Sequence, residues 1–173
     1  MAGDAVEHDH PRERALDPEL RLQHGRDLAW QALGRRDRTV AEIARLLAGK
    51  RVEPEMIGVV VAELCEQGYL DDARFARQFA EDRRRLDGWG AERIKRRLHA
   101  LGIDAELIAA AVAEQDSGAE LDAALAILRR RFPDPPATPR DCERALGVLV
   151  RKGYELELAH EALRRHAGAP AFD

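Results

Sequence analysis

The stretch IKRRLHALGIDAELIAAAV, residues 94–112, superposes without a gap on IARLLAGKRVEPEMIGVVV, residues 43–61, and on ALGVLVRKGYELELAHEAL, residues 145–163, at a constant offset of 51. Seven columns stay apolar or small in all three copies. Ile43, Ile94 and Ala145 share one; Leu47, Leu98 and Leu149 the next; then Val52, Ile103 and Tyr154; Met56, Leu107 and Leu158; Ile57, Ile108 and Ala159; Val60, Ala111 and Ala162; Val61, Val112 and Leu163. Within each copy these positions fall at i, i+4 and then at i, i+1, i+4, i+5, the spacing of two amphipathic helices joined by a tight connection. A period of about fifty residues built from such helices marks a helical repeat protein.

The connections agree with that reading. Thr39 followed by Glu42 forms a capping box, and Thr138 followed by Pro139 places an N-cap before a proline at the first helical position. Glu53-Pro54, Asp104-Ala105 and Glu155-Leu156 occupy one column, each with an acid where the dipole of the next helix favours it. Gly102 and Gly153 precede that column as C-terminal stops able to adopt the left-handed conformation. A further helix precedes each pair, at roughly 19–34, 71–86 and 118–131. Asp71 caps the second of these, with Phe75 and Phe79 one turn apart on its buried face. The expected architecture is all-α, an elongated array of three tandem helix-turn-helix-like units at 18–70, 71–116 and 117–167. Such units are marginal alone and gain core by stacking. Residues 1–17 form an acidic tail and 168–173 a short end, both expected to be disordered. The proline-bearing loop RFPDPPATP, residues 131–139, is expected to be exposed.

Composition narrows the class. The chain is 45 % apolar but only 5 % aromatic, so its core is Leu, Ile, Val and Ala, which suits helices better than sheets. No apolar run is long enough to span a bilayer, and the N-terminal residues lack a secretory pattern, so a cytoplasmic chain is expected. Cys65 and Cys142 show neither zinc spacing nor a disulfide framework and are expected to be buried thiols. The net charge of −4 is unevenly distributed: residues 74–97 carry nine Arg or Lys against four acids, whereas 98–128 carry six acids and neither Arg nor Lys. The middle repeat is a basic island in an acidic chain.

The search for catalytic chemistry is nearly empty. No phosphate loop, metalloprotease helix or nucleophile elbow is present. His8, Asp9 and His10 sit in the tail as solvated residues, and His99, His160 and His166 are read as facing water. Asp71 and Asp72 together complement the positive end of their own helix rather than forming a carboxylate dyad. The basic island remains: Arg83, Arg84 and Arg85 close one helix, the turn LDGWG follows, and Arg93, Lys95, Arg96 and Arg97 decorate the next. Helical spacing pairs Glu81 with Arg85 and Glu92 with Arg96 and leaves the others for a partner. Trp89 between two glycines reads as a staple of the turn onto the core, and Trp30 as partly core.

The segment GYLDDARFARQFAEDRRRLDGWGAERIKRRLHALGID, residues 68–104, resembles the RecX family of recombinase regulators. In that family a Gly-Tyr-Leu-Asp-Asp-x-x-Phe-Ala stretch leads through an arginine-bearing helix to a Gly-x-x-x-Ile-x-x-x-Leu helix. Gly68, Tyr69, Leu70, Asp71, Asp72, Phe75 and Ala76 fit the first part; Gly90, Ile94, Leu98, Gly102 and Ile103 fit the second. The resemblance implies three tandem three-helix repeats and no catalysis or cofactor. It also implies a monomer that binds the RecA filament on single-stranded DNA, limits its extension and so modulates recombination, DNA repair and the SOS response. Arg83, Arg84, Arg85, Arg93, Lys95, Arg96 and Arg97 would contact DNA phosphates or RecA carboxylates, with single-stranded or duplex DNA held non-specifically. Asp71, Asp72, Phe75, Trp89 and Gly90 would hold that surface in shape, and reversal of Arg93, Arg96 and Arg97 to Glu would abolish inhibition. Two other classes compete: a helix-turn-helix transcriptional regulator, which needs a helix offering Asn, Gln, Arg or Ser to base edges, and a helical scaffold with protein partners alone.

Overall fold

The computed structural model describes residues 17–114 and 116–168, and among these it contains nine helices and no strand. They are α1 (Pro18–Leu33), α2 (Val40–Gly49), α3 (Pro54–Glu66), α4 (Asp72–Asp87), α5 (Ala91–Leu101), α6 (Ala105–Ala113), α7 (Ser117–Arg131), α8 (Pro139–Lys152) and α9 (Leu156–His166). The disorder expected of the two ends concerns residues that, but for Asp17 and Gly168, lie outside the described ones. Asp17 accepts the Glu19 amide as the N-cap of α1, and Gly168 follows α9 in the left-handed region.

The repeat columns are the core. Ile43, Ile94 and Ala145 are fully buried, as are Leu47, Leu98 and Leu149, and Val60, Ala111 and Ala162. In each repeat the third helix packs on the first, α3 on α1, α6 on α4 and α9 on α7. The apolar columns of the third helix are what that packing covers. Two sequence expectations fail at the edges of this core. Cys65 is exposed and Cys142 only half-buried, because both lie off the apolar stripe of their helices. Trp30 is 40 % exposed, edge-on to the exposed ring of Tyr69 at 4.4 Å, so the two aromatics shield one another at the surface.

The chain packs as two units, residues 17–37 with 43–69, and residues 38–42 with 70–168. In the first, Arg26 forks onto Glu63 at 2.7 and 2.8 Å, joining α1 to α3; the guanidinium holds the Glu63 carboxyl below its ordinary value. The connection from α2 to α3 turns at Arg51, with φ 61, in the column where the other repeats place Gly102 and Gly153 at φ 88 and 90. A side chain at left-handed φ costs about 1–2 kcal/mol. Arg51→Gly is therefore expected to stabilise the fold by up to about 1 kcal/mol in urea unfolding, net of glycine's larger unfolded-state entropy. A destabilised variant would mean that the Arg51 side chain holds more than it strains.

The second unit uses helix ends as joints. The Thr39–Glu42 capping box forms, and the buried Thr39 hydroxyl also donates to the Leu101 carbonyl at 2.8 Å. Asp71 caps α4 through the Arg74 amide, but Asp72 does not serve its own helix: its carboxylate accepts the Val40 amide at 2.9 Å, at the start of α2. Burial raises the Asp72 pKa, partly offset by that amide bond. One repeat further along the same columns, the Gly90 amide donates to the Lys152 carbonyl and the Glu92 amide to the Gly153 carbonyl, both at 2.9 Å. Glu120 takes the intervening Ala91 amide at 2.8 Å. The free amides that open α5 thus meet the last carbonyls of α8, partial charges of opposite sign. Lys152 Nζ to the Asp87 carbonyl and the Tyr154 hydroxyl to the Gly88 carbonyl complete the joint. In the third repeat α8 starts earlier, capped by Thr138, so the residue in that column, Asp141, lies inside the helix with its amide already bonded to Thr138 Oγ1. The joint does not repeat there.

Candidate functional site

Helix α4 ends at Gly88 in the left-handed conformation, and the Gly88 and Trp89 amides turn back onto the Arg84 and Arg83 carbonyls. That stop sets Trp89 against Phe79, ring centroids 6.2 Å apart, and Phe79 stacks on Phe75 at 6.1 Å. Trp89 is a half-buried staple and also the floor of a cleft of about 890 Å³. The Arg93 guanidinium lies 4.2 Å over the Trp89 ring, and Arg83 sits 5.6 Å from it while pairing with Asp87 at 2.6 Å. Arg96 and Arg97 continue along α5, and Arg151 reaches in from the end of α8. Arg93 also donates to the Arg151 carbonyl at 3.2 Å, so the joint between α5 and α8 forms one wall.

Of the seven bases singled out in the sequence, Arg83, Arg93, Arg96 and Arg97 come together here. The other three do not. Arg84 is half-buried and donates to the Val112 carbonyl at 2.8 Å, closing the end of α6; burial lowers its pKa. Arg85 is exposed and pairs with Asp82, not Glu81. Lys95 points away from the cleft and takes Glu92 at 2.8 Å, the acid that helical spacing assigned to Arg96. Both changes choose the i,i+3 neighbour over the i,i+4 one, which side-chain spacing alone does not separate. Arg96 is left without an ion-pair partner among the described residues, and Arg97 has none there either.

Arg151 was missed. Its place in the last turn of α8 makes it look like ordinary dipole complementation, and only the tertiary joint carries it to the cleft. The local field is positive: the Lys152 ammonium has its pKa lowered first by burial and then by Arg130 and Arg93. His99 and His160 are exposed as expected, but a ring nitrogen of His166 lies 2.8 Å from the Phe132 carbonyl and ties α9 to the loop after α7. His8, Asp9 and His10 lie outside the described residues. Among the described residues there is no cluster suited to a metal ion, and no helix long and apolar enough to cross a membrane.

The model of the second three-helix domain of RecX matches residues 71–112, the segment that supplies four of the five cleft arginines. The regulatory protein RecX of Mycobacterium avium (strain 104) is 32 % identical over 146 residues, covering 83 % of this chain and 84 % of that protein. That of Mycobacterium marinum is 34 % identical over 147 residues, with the same coverage. The chain belongs to the RecX family. The crystal structure of RecX from Lactobacillus salivarius superposes with a TM-score of 0.77 at 16 % identity, over 86 % of this chain and 97 % of that one. A second structure of a regulatory protein RecX gives 0.70 at 19 %, over 86 % and 78 %. At such identities the likeness speaks for the fold, which this RecX-family chain keeps although few side chains are shared.

Proposed function

We propose that this RecX-family chain binds the filament that the RecA recombinase forms on single-stranded DNA and restrains its extension and ATP turnover. Its contact surface is the arginine cleft formed by α4, α5 and α8. The observation that carries this reading is the cleft itself: Arg96, Arg97 and Arg151 line one open trench beside the Trp89–Arg93 stack, with no carboxylate in its lining. Guanidinium groups free of internal partners are available to phosphates or carboxylates, and phosphate contacts carry no base preference. If those three each neutralise one phosphate of a single strand, log affinity falls with log salt with a slope of about −2. The helix-turn-helix alternative finds no reading helix in the middle repeat, because α6 presents Ala105, Glu106, Ala109 and Ala110 to solvent and carries no Arg, Asn, Gln or Ser, while Arg164 and Arg165 of α9 are paired with Glu161.

The test is ATP hydrolysis by the cognate RecA on single-stranded DNA, titrated with this protein at moderate and at high salt. Substoichiometric inhibition that weakens with salt is the expected result. An equimolar, folded chain without effect would overturn the proposal.

A further inference from the structure

Arg96 stands between two different surfaces. On one side is the arginine cleft; on the other, between α5 and α6, is an open recess of about 590 Å³ with a floor of Ala105, Ile108 and Ala109 and a rim of Lys95, Arg96 and His99. We infer that this recess seats one apolar side chain of an acidic polypeptide segment of RecA, separately from the phosphate-facing cleft. The inference rests on the function proposed above and divides its contact surface into a nucleic-acid part and a protein part.

The floor and the rim each constrain the occupant. Methyl groups offer no donor or acceptor, so the floor cannot read the polar edge of a nucleobase, whereas an aliphatic or aromatic side chain seated there leaves no polar group without a partner. The rim sets the exposed Lys95 and Arg96 around that floor, Arg96 without an internal partner and Lys95 shared with Glu92, and these two cations match carboxylates flanking an apolar anchor. The fold does not impose this combination. In the same columns the third repeat carries Leu146, Gly147 and Val150 where the second carries Lys95, Arg96 and His99, and the first carries Ala44, Arg45 and Ala48. The floor separates the middle repeat from the third, where Leu156 and His160 stand in place of Ala105 and Ala109, while the first repeat, with Pro54 and Gly58 there, lacks the rim. A basic rim around an open apolar floor therefore belongs to the middle repeat alone among the three.

The experiment compares Ala109→Glu with Ala109→Gln in the full chain. Position 109 is exposed on α6, and both side chains are good helix formers, so circular dichroism is expected to be unchanged. Three readouts are taken: affinity for DNA-free cognate RecA, affinity for an oligo-dT strand, and inhibition of RecA ATP hydrolysis. The carboxylate of Ala109→Glu is expected to weaken RecA binding about tenfold or more, as loss of an anchor at the centre of an interface does. Ala109→Gln is expected to lose less and to leave oligo-dT binding unchanged, whereas Ala109→Glu sets a carboxylate beside Arg96 and is expected to weaken oligo-dT binding too, but by far less than RecA binding. RecA binding by Ala109→Glu equal to the wild type overturns the inference, and so does a loss confined to oligo-dT, which would make the recess part of the nucleic-acid surface. A wild-type chain that inhibits RecA but does not bind it without DNA overturns the inference and leaves the proposed function standing. A wild-type chain that does neither overturns both.

Discussion

Gly90→Ala and Gly153→Ala are each expected to destabilise the second unit by about 3 kcal/mol or more, placing them among the severe single substitutions. A Cβ on Gly90 would stand 2.5 Å from the Gly153 carbonyl oxygen and from the Tyr154 amide nitrogen; one on Gly153 would stand 2.3 Å from Arg93 Cβ and 2.4 Å from its backbone nitrogen. The obstacles are backbone and Cβ atoms, so no flexible side chain can swing away. Gly153 adds a left-handed φ of 90, which alanine tolerates poorly. The only relief is separation of α5 from α8, and that breaks the two amide-to-carbonyl bonds from Gly90 and Glu92. Both substitutions act through this one joint, so the double variant should cost well below the sum of the singles. Urea unfolding followed by circular dichroism measures all three. RecA inhibition should weaken in parallel, because the joint is what holds Arg151 beside Arg93. Two variants within about 1 kcal/mol of the wild type would show that the joint yields easily.

The second large effect is functional. Simultaneous reversal of Arg96, Arg97 and Arg151 to Glu is expected to lower inhibition of RecA ATP hydrolysis by on the order of a hundredfold or more, with helical content and unfolding midpoint nearly unchanged. These three are chosen because their guanidinium groups have no ion-pair partner among the described residues. Arg93, which the sequence alone would put in such a set, is a poor choice. It stacks on Trp89 and bonds the Arg151 carbonyl, so its reversal would damage the α5–α8 joint and confuse a structural loss with a lost contact. Full inhibition by the folded triple variant would remove the cleft from the contact surface. Reversal of Arg151 alone is the sharper arm, since loss on that change shows that the third repeat contributes to a surface otherwise built from the second.

Much of this molecule is legible along the chain. Three of the seven apolar columns at an offset of 51 are buried in every copy and the other four are buried or half-buried, and Thr39, Asp71, Asp104 and Thr138 cap the helices they precede. Side-chain period, caps and left-handed glycines are local properties, decided within one or two turns of helix, and they can be read from residues a few positions apart. The same holds for the basic character of the middle repeat, which is a matter of composition.

Which bases act together is not local. Arg84 leaves the surface to close α6, Lys95 turns to the opposite side of Arg96, and Asp72 serves α2 instead of α4. Arg151 joins Arg93 across 58 residues of chain, through a joint whose requirement for two glycines is visible only once the backbones have met. The sequence by itself determined the helices, their caps, the repeated core and the sign of charge on the middle repeat, because these depend on neighbours along the helix. Only the tertiary structure decided which arginines share a cleft and where the apolar recess opens, because these depend on how the ends of one helix dock against the start of another.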